Sequence, residues 1–235
     1  LSRDEAAATL AAKELEALPP TGVVLVLEDP APLVPETVVA LGAEAHTWAR
    51  RTPGSAAWPP EGPVDVVALR LPRAREEFEM LLHIAADRLR PGGRLLVYGA
   101  NDEGIRSAGK RMAPLFGEVG TLATGGHARL LGAVRPADFG SSQVKATAAA
   151  WRTVDTVRVP WAASAADAGA GDGEGSQVSW VSYPGVFAHQ RLDGGTALLL
   201  ENLPMAELSA GSGVRVLDWG AGSGFLAAGV LAAAP

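Results

Sequence analysis

Apolar residues recur along the first half of the chain in two alternating patterns: short unbroken runs, and longer stretches with helical spacing. Residues 23–27 and 64–69 are apolar runs of strand length, the pattern of strands buried on both faces of a parallel sheet. Residues 44–48 and 94–98 are further strand candidates. Residues 2–18 read as an amphipathic helix with Ser2 as N-cap and Glu5 as its capping-box partner, stopped by Pro19-Pro20. A short helix over 35–41 follows the first strand, and 51–63 is a loop rich in Pro, Gly and Ala. The spacing of Phe78, Leu81, Leu82, Ala85 and Leu89 predicts a helix over 73–90, ended by Pro91-Gly92-Gly93. A turn over 99–104 leads into a helix at 105–116. Strands at 118–124 and 129–134 then flank Gly125-Gly126. Alternation of this kind, closed by a hairpin, predicts an α/β fold: an open, mostly parallel sheet with helices on both faces and an antiparallel edge.

Residues 137–176 break the pattern. Some helical or strand character persists over 145–159, whereas 165–176 is dense in Ala, Gly and Asp and reads as a mobile linker. Residues 178–183 alternate like an edge strand, Pro184 to Phe187 turn the chain, and 194–203 reads as a helix. The expected division is a first domain over 1–136, a linker over 137–176 and the N-terminal part of a second domain over 177–235.

The second domain carries the most informative stretch. Val216-Leu217-Asp218-Trp219-Gly220-Ala221-Gly222-Ser223-Gly224 reads as a buried strand over 214–217 running into a glycine-rich turn, followed by a helix over 225–234. Alternate glycines let the backbone approach a ligand, and the helix start behind them presents free N–H groups. A dinucleotide fingerprint would need a third glycine at the position of Phe225, and no Lys-Ser/Thr follows for a phosphate loop.

An apolar pair, Asp, then three alternate glycines resembles the first motif of the class I S-adenosylmethionine-dependent methyltransferases. The resemblance implies that Gly220, Ala221, Gly222 and Gly224 floor the methionine part of the cofactor and that Asp218 orients its amino group. Upstream, Asp65 and the run from Leu89 through Pro91-Gly92-Gly93 to Val97 resemble the fourth strand, fourth helix and fifth strand of the same fold. That first copy has Glu28-Asp29-Pro30 where glycines belong, and Arg70-Leu71-Pro72-Arg73 where an amino-methylating enzyme carries Asn/Asp-Pro-Pro-aromatic. It reads as a degenerate, non-catalytic copy. Tyr183-Pro184-Gly185-Val186-Phe187, Leu192-Asp193, Leu198-Leu199-Leu200 and the glycine motif together resemble the ribosomal RNA (guanine-N2) methyltransferases of the small-subunit guanosine-1207 type. These consist of tandem class I, Rossmann-like methyltransferase domains, the first degenerate.

Membership in that family implies transfer of a methyl group from S-adenosyl-L-methionine to the N2 amine of a guanine, most simply in 16S rRNA. The target base leaves its stack to reach the cofactor. Phe187 and Asp193 are implied to lie over the cofactor. Against the family pattern, the second domain is incomplete: a domain of this fold needs roughly 150–200 residues. The second-strand acid, the Asn-Pro-Pro-Phe loop and the last strands are missing. The 235 residues by themselves are expected to be inactive, and no catalytic residue is assigned. Two alternatives stay open: a non-catalytic module that binds RNA or the ribosome, and a small-molecule methyltransferase on the same fold.

Composition adds exclusions. Hydrophobic residues make up 48% of the chain, enough for real cores, yet no apolar run approaches the roughly 18 residues of a membrane span. The first residues lack the plan of a signal peptide. Without cysteine there is no disulfide or thiolate metal site, and the four histidines (His46, His83, His127, His189) lack metal-ligand spacing. A cytoplasmic protein with no metal and no membrane partner is the expectation. The net charge of −6 argues against a uniformly basic nucleic-acid binder. Lys and Arg nevertheless outnumber Asp and Glu between Arg70 and Arg158, which is compatible with touching ribosomal RNA. Arg106, Lys110 and Arg111 read as a solvated face or an RNA contact, and Asp65 and Asp102 as turn or cap residues.

Overall fold

A computed structural model of the chain describes residues 2–52, 54–138, 144–159, 176–203 and 215–233. The chain divides into two compact units, Leu1–Ala150 and Trp151–Pro235.

In the first unit the helix α1 (Arg3–Ala17) starts at the expected capping box: Glu5 N donates to Ser2 Oγ at 3.2 Å and Ser2 N to Glu5 Oε2 at 2.6 Å. The alternation then runs β1 (Val23–Leu27), α2 (Leu33–Ala40), β2 (Glu44–Trp48), β3 (Val64–Arg70), α3 (Arg75–Arg88), β4 (Leu89–Ala100), α4 (Ile105–Phe116), β5 (Val119–Gly125) and β6 (Ala128–Val134). Six strands form one sheet in the order β2-β1-β3-β4-β6-β5. The first four are mutually parallel, and β6 runs antiparallel to both its neighbours. The β5–β6 hairpin thus makes the antiparallel edge that the sequence suggested, with β5 outermost. The tight β5–β6 turn places Gly126 and His127 at φ 55° and 61°, the left-handed pair that a two-residue hairpin loop requires.

One boundary moves for a physical reason. The helical spacing ran to residue 90, but α3 ends at Arg88 and Leu89 already pairs with Val64 in β4. Pro91 lacks an N–H and restricts Arg90 before it, so the helix stops earlier than its apolar stripe suggests. The register shift between Val64 and Val66 absorbs Pro91-Gly92-Gly93 into the strand. Asp65 locks the amino ends of the neighbouring strands: its Oδ2 accepts the Val23 N–H at 2.8 Å and its other oxygen pairs with Arg90. Arg90 holds the Asp65 carboxyl below its usual range. The main core lies between α1, α2 and the sheet, around Ala7, Leu15, Val24, Val26, Val38, Leu96 and Tyr98.

A single turn, α5 (Ala148–Trp151), precedes the second unit's hairpin of β7 (Thr153–Val159) and β8 (Ser176–Ser182), paired antiparallel from Thr153 opposite Ser182 to Val159 opposite Ser176. The stretch read as a linker thus contains a strand; the expected mobile segment at 165–175 lies outside the described residues. Helices α6 (Gly194–Glu201) and α7 (Phe225–Ala233) follow and pack on each other. The inward face of the hairpin meets α7: Val157, Val178 and Trp180 cluster with Phe225 and Leu192.

Candidate functional site

The glycine turn sits at the start of α7. Gly220, Gly222 and Gly224 take φ of 78°, 55° and 82°, the left-handed conformation that glycine adopts without steric cost. The alternate spacing in the sequence is thus the footprint of a chain that turns left-handed at every second residue. Gly224 N donates to Ala221 O at 2.7 Å, and Ala228 N to Gly224 O at 3.0 Å, so the turn closes directly into the helix. No atom of the described residues outside its immediate neighbours lies within 4 Å of where a Gly220 Cβ would stand, whereas one on Gly224 would meet Trp180 Cζ2 at 3.9 Å. The turn is open on one side and supported on the other.

The strand expected over 214–217 is not formed by residues 215–217; Val214 lies outside the described residues. Leu217 is 80% exposed and Trp219 91%. An extended apolar segment becomes a parallel strand only beside partners that take up its N–H and C=O groups. Here no described strand lies next to it. The turn and helix form without it.

Asp218 is half-buried, and its Oδ2 is shielded from solvent without a hydrogen-bond partner among the described residues. A carboxylate oxygen held that way is an acceptor awaiting a donor. Phe187 comes to the same place: a Cβ on Gly222 would meet Phe187 Cβ at 3.8 Å and Cδ1 at 3.9 Å. The structure therefore brings Phe187 to the glycine turn, with the ring 63% exposed. Asp193 has a structural task. Its Oδ2 accepts the N–H groups of Gly195 and Thr196 at 3.0 and 3.1 Å as N-cap of α6, next to Leu192, which packs on Phe225. Asp before Gly-Gly-Thr and an apolar run is an N-cap signature, so this role was readable from the sequence.

Sequence reasoning missed Trp180 and Asp155. They are cross-strand partners on the inward face of the hairpin, and Trp180 Nε1 and Asp155 Oδ2 are shielded polar atoms without partners among the described residues. Neither stands out in the sequence, because only the pairing of β7 with β8 brings them together. Ser182 and His189 were missed for the same reason; their atoms meet at 2.7 Å.

The corresponding crevice of the first unit, at the carboxyl ends of β1, β3 and β4, is a cavity of about 330 Å³ lined by polar groups such as Asp4, Glu28, Arg70 and Glu103 that pair largely with one another. Arg70 is buried and donates to Asp4 Oδ1 and Glu103 Oε2, both at 2.6 Å, and to Leu71 O at 3.2 Å. Tyr98 OH donates to Asp29 Oδ2 at 2.6 Å. Glu28, left-handed at φ 55°, accepts the Arg50 N–H at 2.9 Å. Burial raises the carboxyl pKa of both Glu28 and Asp29. These groups hydrogen-bond one another across the crevice. Elsewhere in the unit, Asp102 pairs with Arg3 at 2.8 Å, Arg111 with Glu79 at 2.9 Å, and Arg106 Nε donates to Asn101 Oδ1 at 3.4 Å. No group of three or more potential metal ligands occurs among the described residues, and no described helix is long and apolar enough to cross a membrane.

Residues 37–147 match the family model of the methyltransferase small domain N-terminal region, and residues 177–235 match that of the methyltransferase small domain. A ribosomal RNA small subunit methyltransferase C of Shewanella amazonensis is 33% identical over 170 residues, covering 72% of this chain and 43% of that protein. Its namesake in Stutzerimonas stutzeri is 35% identical, covering 72% and 44%. The chain thus spans less than half the length of these curated relatives. Among solved structures, the T. thermophilus 16S rRNA N2 G1207 methyltransferase, in complex with AdoMet and guanosine, aligns with 99% of this chain and 61% of that one, at a TM-score of 0.67 and 23% identity. The likeness is one of fold: tandem class I methyltransferase architecture, with part of the second domain represented here. The chain belongs to the methyltransferase small-domain family, alongside the ribosomal RNA small subunit methyltransferase C proteins.

Proposed function

We propose that this chain is the companion domain and cofactor-binding start of a cytoplasmic S-adenosylmethionine-dependent methyltransferase acting on the N2 amine of a guanine in 16S ribosomal RNA. The observation that carries the reading is the solvent-shielded Asp218 oxygen, without a partner among the described residues, immediately before three left-handed glycines at a helix start. The cofactor fits that arrangement: it brings an ammonium group as donor, and the glycines leave room for it. When bound, it supplies a methyl group made electrophilic by its positive sulfur.

The chain's own residues then do the following. Gly220, Ala221, Gly222 and Gly224 form the floor, Asp218 accepts from the amino group, and Phe187 covers the turn beside Gly222. Asp193 holds the start of α6 through one oxygen and offers the other to the cofactor. In this reading residues 1–136 form the non-catalytic domain, 137–176 the connection and 177–235 the opening of the catalytic domain. The pairing of Arg70 with Asp4 and Glu103 in the crevice where a cofactor loop would carry glycines supports the non-catalytic assignment, and the basic excess between Arg70 and Arg158 supports RNA as partner.

The test is methyl transfer by the full-length protein to small ribosomal subunits or their RNA, with methyl-labelled cofactor. Digestion and mass spectrometry are expected to place the label in N2-methylguanosine. Label on another base or on a small molecule, or RNA binding without transfer, contradicts the proposal.

A further inference from the structure

The loop from Tyr183 to Asp193 carries Phe187 to the glycine turn, and its backbone is under strain. Ala188 and Gln190 both adopt left-handed φ, 54° and 66°, on either side of His189. Residues with a Cβ avoid that region, and where they occupy it, surrounding contacts must hold them there. Ser182, the last residue of β8, is buried at 4% exposure on the inward face of the hairpin. Its Oγ shares a 2.7 Å hydrogen bond with His189 Nδ1 and accepts the Gln190 N–H at 3.2 Å. One hydroxyl, fixed in a paired strand, thus ties down both the histidine and the strained residue after it. Phe187 lies two residues before His189, and its side chain rests against Gly222. With 63% of Phe187 exposed, packing alone is a weak anchor, so the ring's place over the turn depends on how the loop is held.

We propose that Ser182 and His189 form a latch that sets the strained loop so that Phe187 covers the glycine turn, making both positioning residues for the cofactor. The inference rests on the reading of that turn as a cofactor cradle. In this proposal both act through Phe187.

The test is a double-mutant cycle in the full-length protein, read as the affinity for S-adenosylhomocysteine by calorimetry. Ser182→Ala and Phe187→Ala are each expected to weaken binding by about five- to tenfold, the loss of a hydrogen bond or ring contact, and the double variant to bind no more weakly than Phe187→Ala alone. Additive losses overturn the proposal. His189→Ala, at a half-buried position and so a milder change to the fold, is expected to match Ser182→Ala. His189→Asn, which returns a polar atom to the Nδ1 position, is expected to recover binding to within about twofold; equal losses in both His189 variants overturn the latch. Trypsin cleavage after the exposed Arg191 in ligand-free protein gives a readout independent of the cofactor. It is expected to quicken in Ser182→Ala, and an unchanged rate overturns the latch. Faster cleavage with no homocysteine-ligand binding by the wild type overturns the cradle reading, and with it the positioning role.

Discussion

The rings of Trp180 and Phe225 stack, with centroids 4.1 Å apart and 17° between their planes. Phe225 is the first residue of the helix behind the glycine turn, so the contact fixes that turn to the β7–β8 hairpin. Trp180→Ala removes the stack and leaves a cavity beside Val157 and Phe225, and is expected to cost about 3 kcal/mol in urea unfolding. Trp180→Phe keeps a ring in place and is expected to cost less than about 1.5 kcal/mol. Equal stability of the Ala variant and the wild type would refute the assignment of Trp180 as the turn's support.

Gly222 is the glycine at which a side chain meets both problems at once: left-handed backbone at φ 55° and Phe187 against its open face. Gly222→Val is expected to destabilise the protein by about 2 kcal/mol, since a β-branched residue resists that conformation, and to displace the Phe187 ring. Thermal melting checks the first part. Cofactor affinity checks the second, and should fall further than in a Gly220→Ala variant, where the added Cβ meets open space.

In the first unit, Arg70 bridges Asp4 and Glu103 from a side chain only 5% exposed. Its removal leaves the half-buried Glu103 carboxylate without its cation. Arg70→Ala is expected to lower stability by about 3–5 kcal/mol in urea unfolding. Arg70→Lys restores the charge but not the two-pronged geometry and is expected to recover only part of the loss. A loss confined to cofactor affinity, with stability intact, would mean that the crevice binds a ligand after all.

Glu28 offers a pH signature. Burial raises its folded-state pKa above the ordinary 4.5, the Arg50 N–H opposing, and Glu77 adds repulsion. A carboxyl raised on folding favours the folded state when protonated. Its contribution is present below 4.5 and lost as pH rises through the higher folded value. Glu28→Gln keeps an acceptor for the Arg50 N–H without the charge. It is expected to melt about 2 °C above wild type at pH 7, an advantage that shrinks to nothing below pH 4.5. An advantage that grew on acidification would reverse the sign assigned to this group.

Most of the first unit was legible because its central strands are buried on both faces. Runs such as Val23–Leu27 are apolar throughout and leave little choice of structure. The capping box at Ser2 and Glu5 fixed the start of α1 to the residue. Helix α3 was read too long because apolar spacing carries through Leu89 while Pro91 has already ended the helix. In the second unit, apolar pattern reported what a strand over 214–217 would bury, and nothing in Val216 or Leu217 says whether a neighbour stands beside them. The glycine spacing was informative because it encodes backbone conformation locally. Trp180 on Phe225 and Ser182 on His189 depend on hairpin register and loop strain, which no local pattern records.

The most direct test of the account is a calorimetric titration of S-adenosylhomocysteine into the full-length wild type and Asp218→Asn. Wild type is expected to bind. Asp218→Asn, deprived of the charged acceptor, is expected to bind about 10- to 100-fold more weakly. Its ligand-free melting temperature should match wild type, because the Asp218 Oδ2 atom has no partner among the described residues to lose. No binding by the wild type, or equal affinity in the two proteins, would contradict the claim that Asp218 and the glycine turn cradle the cofactor.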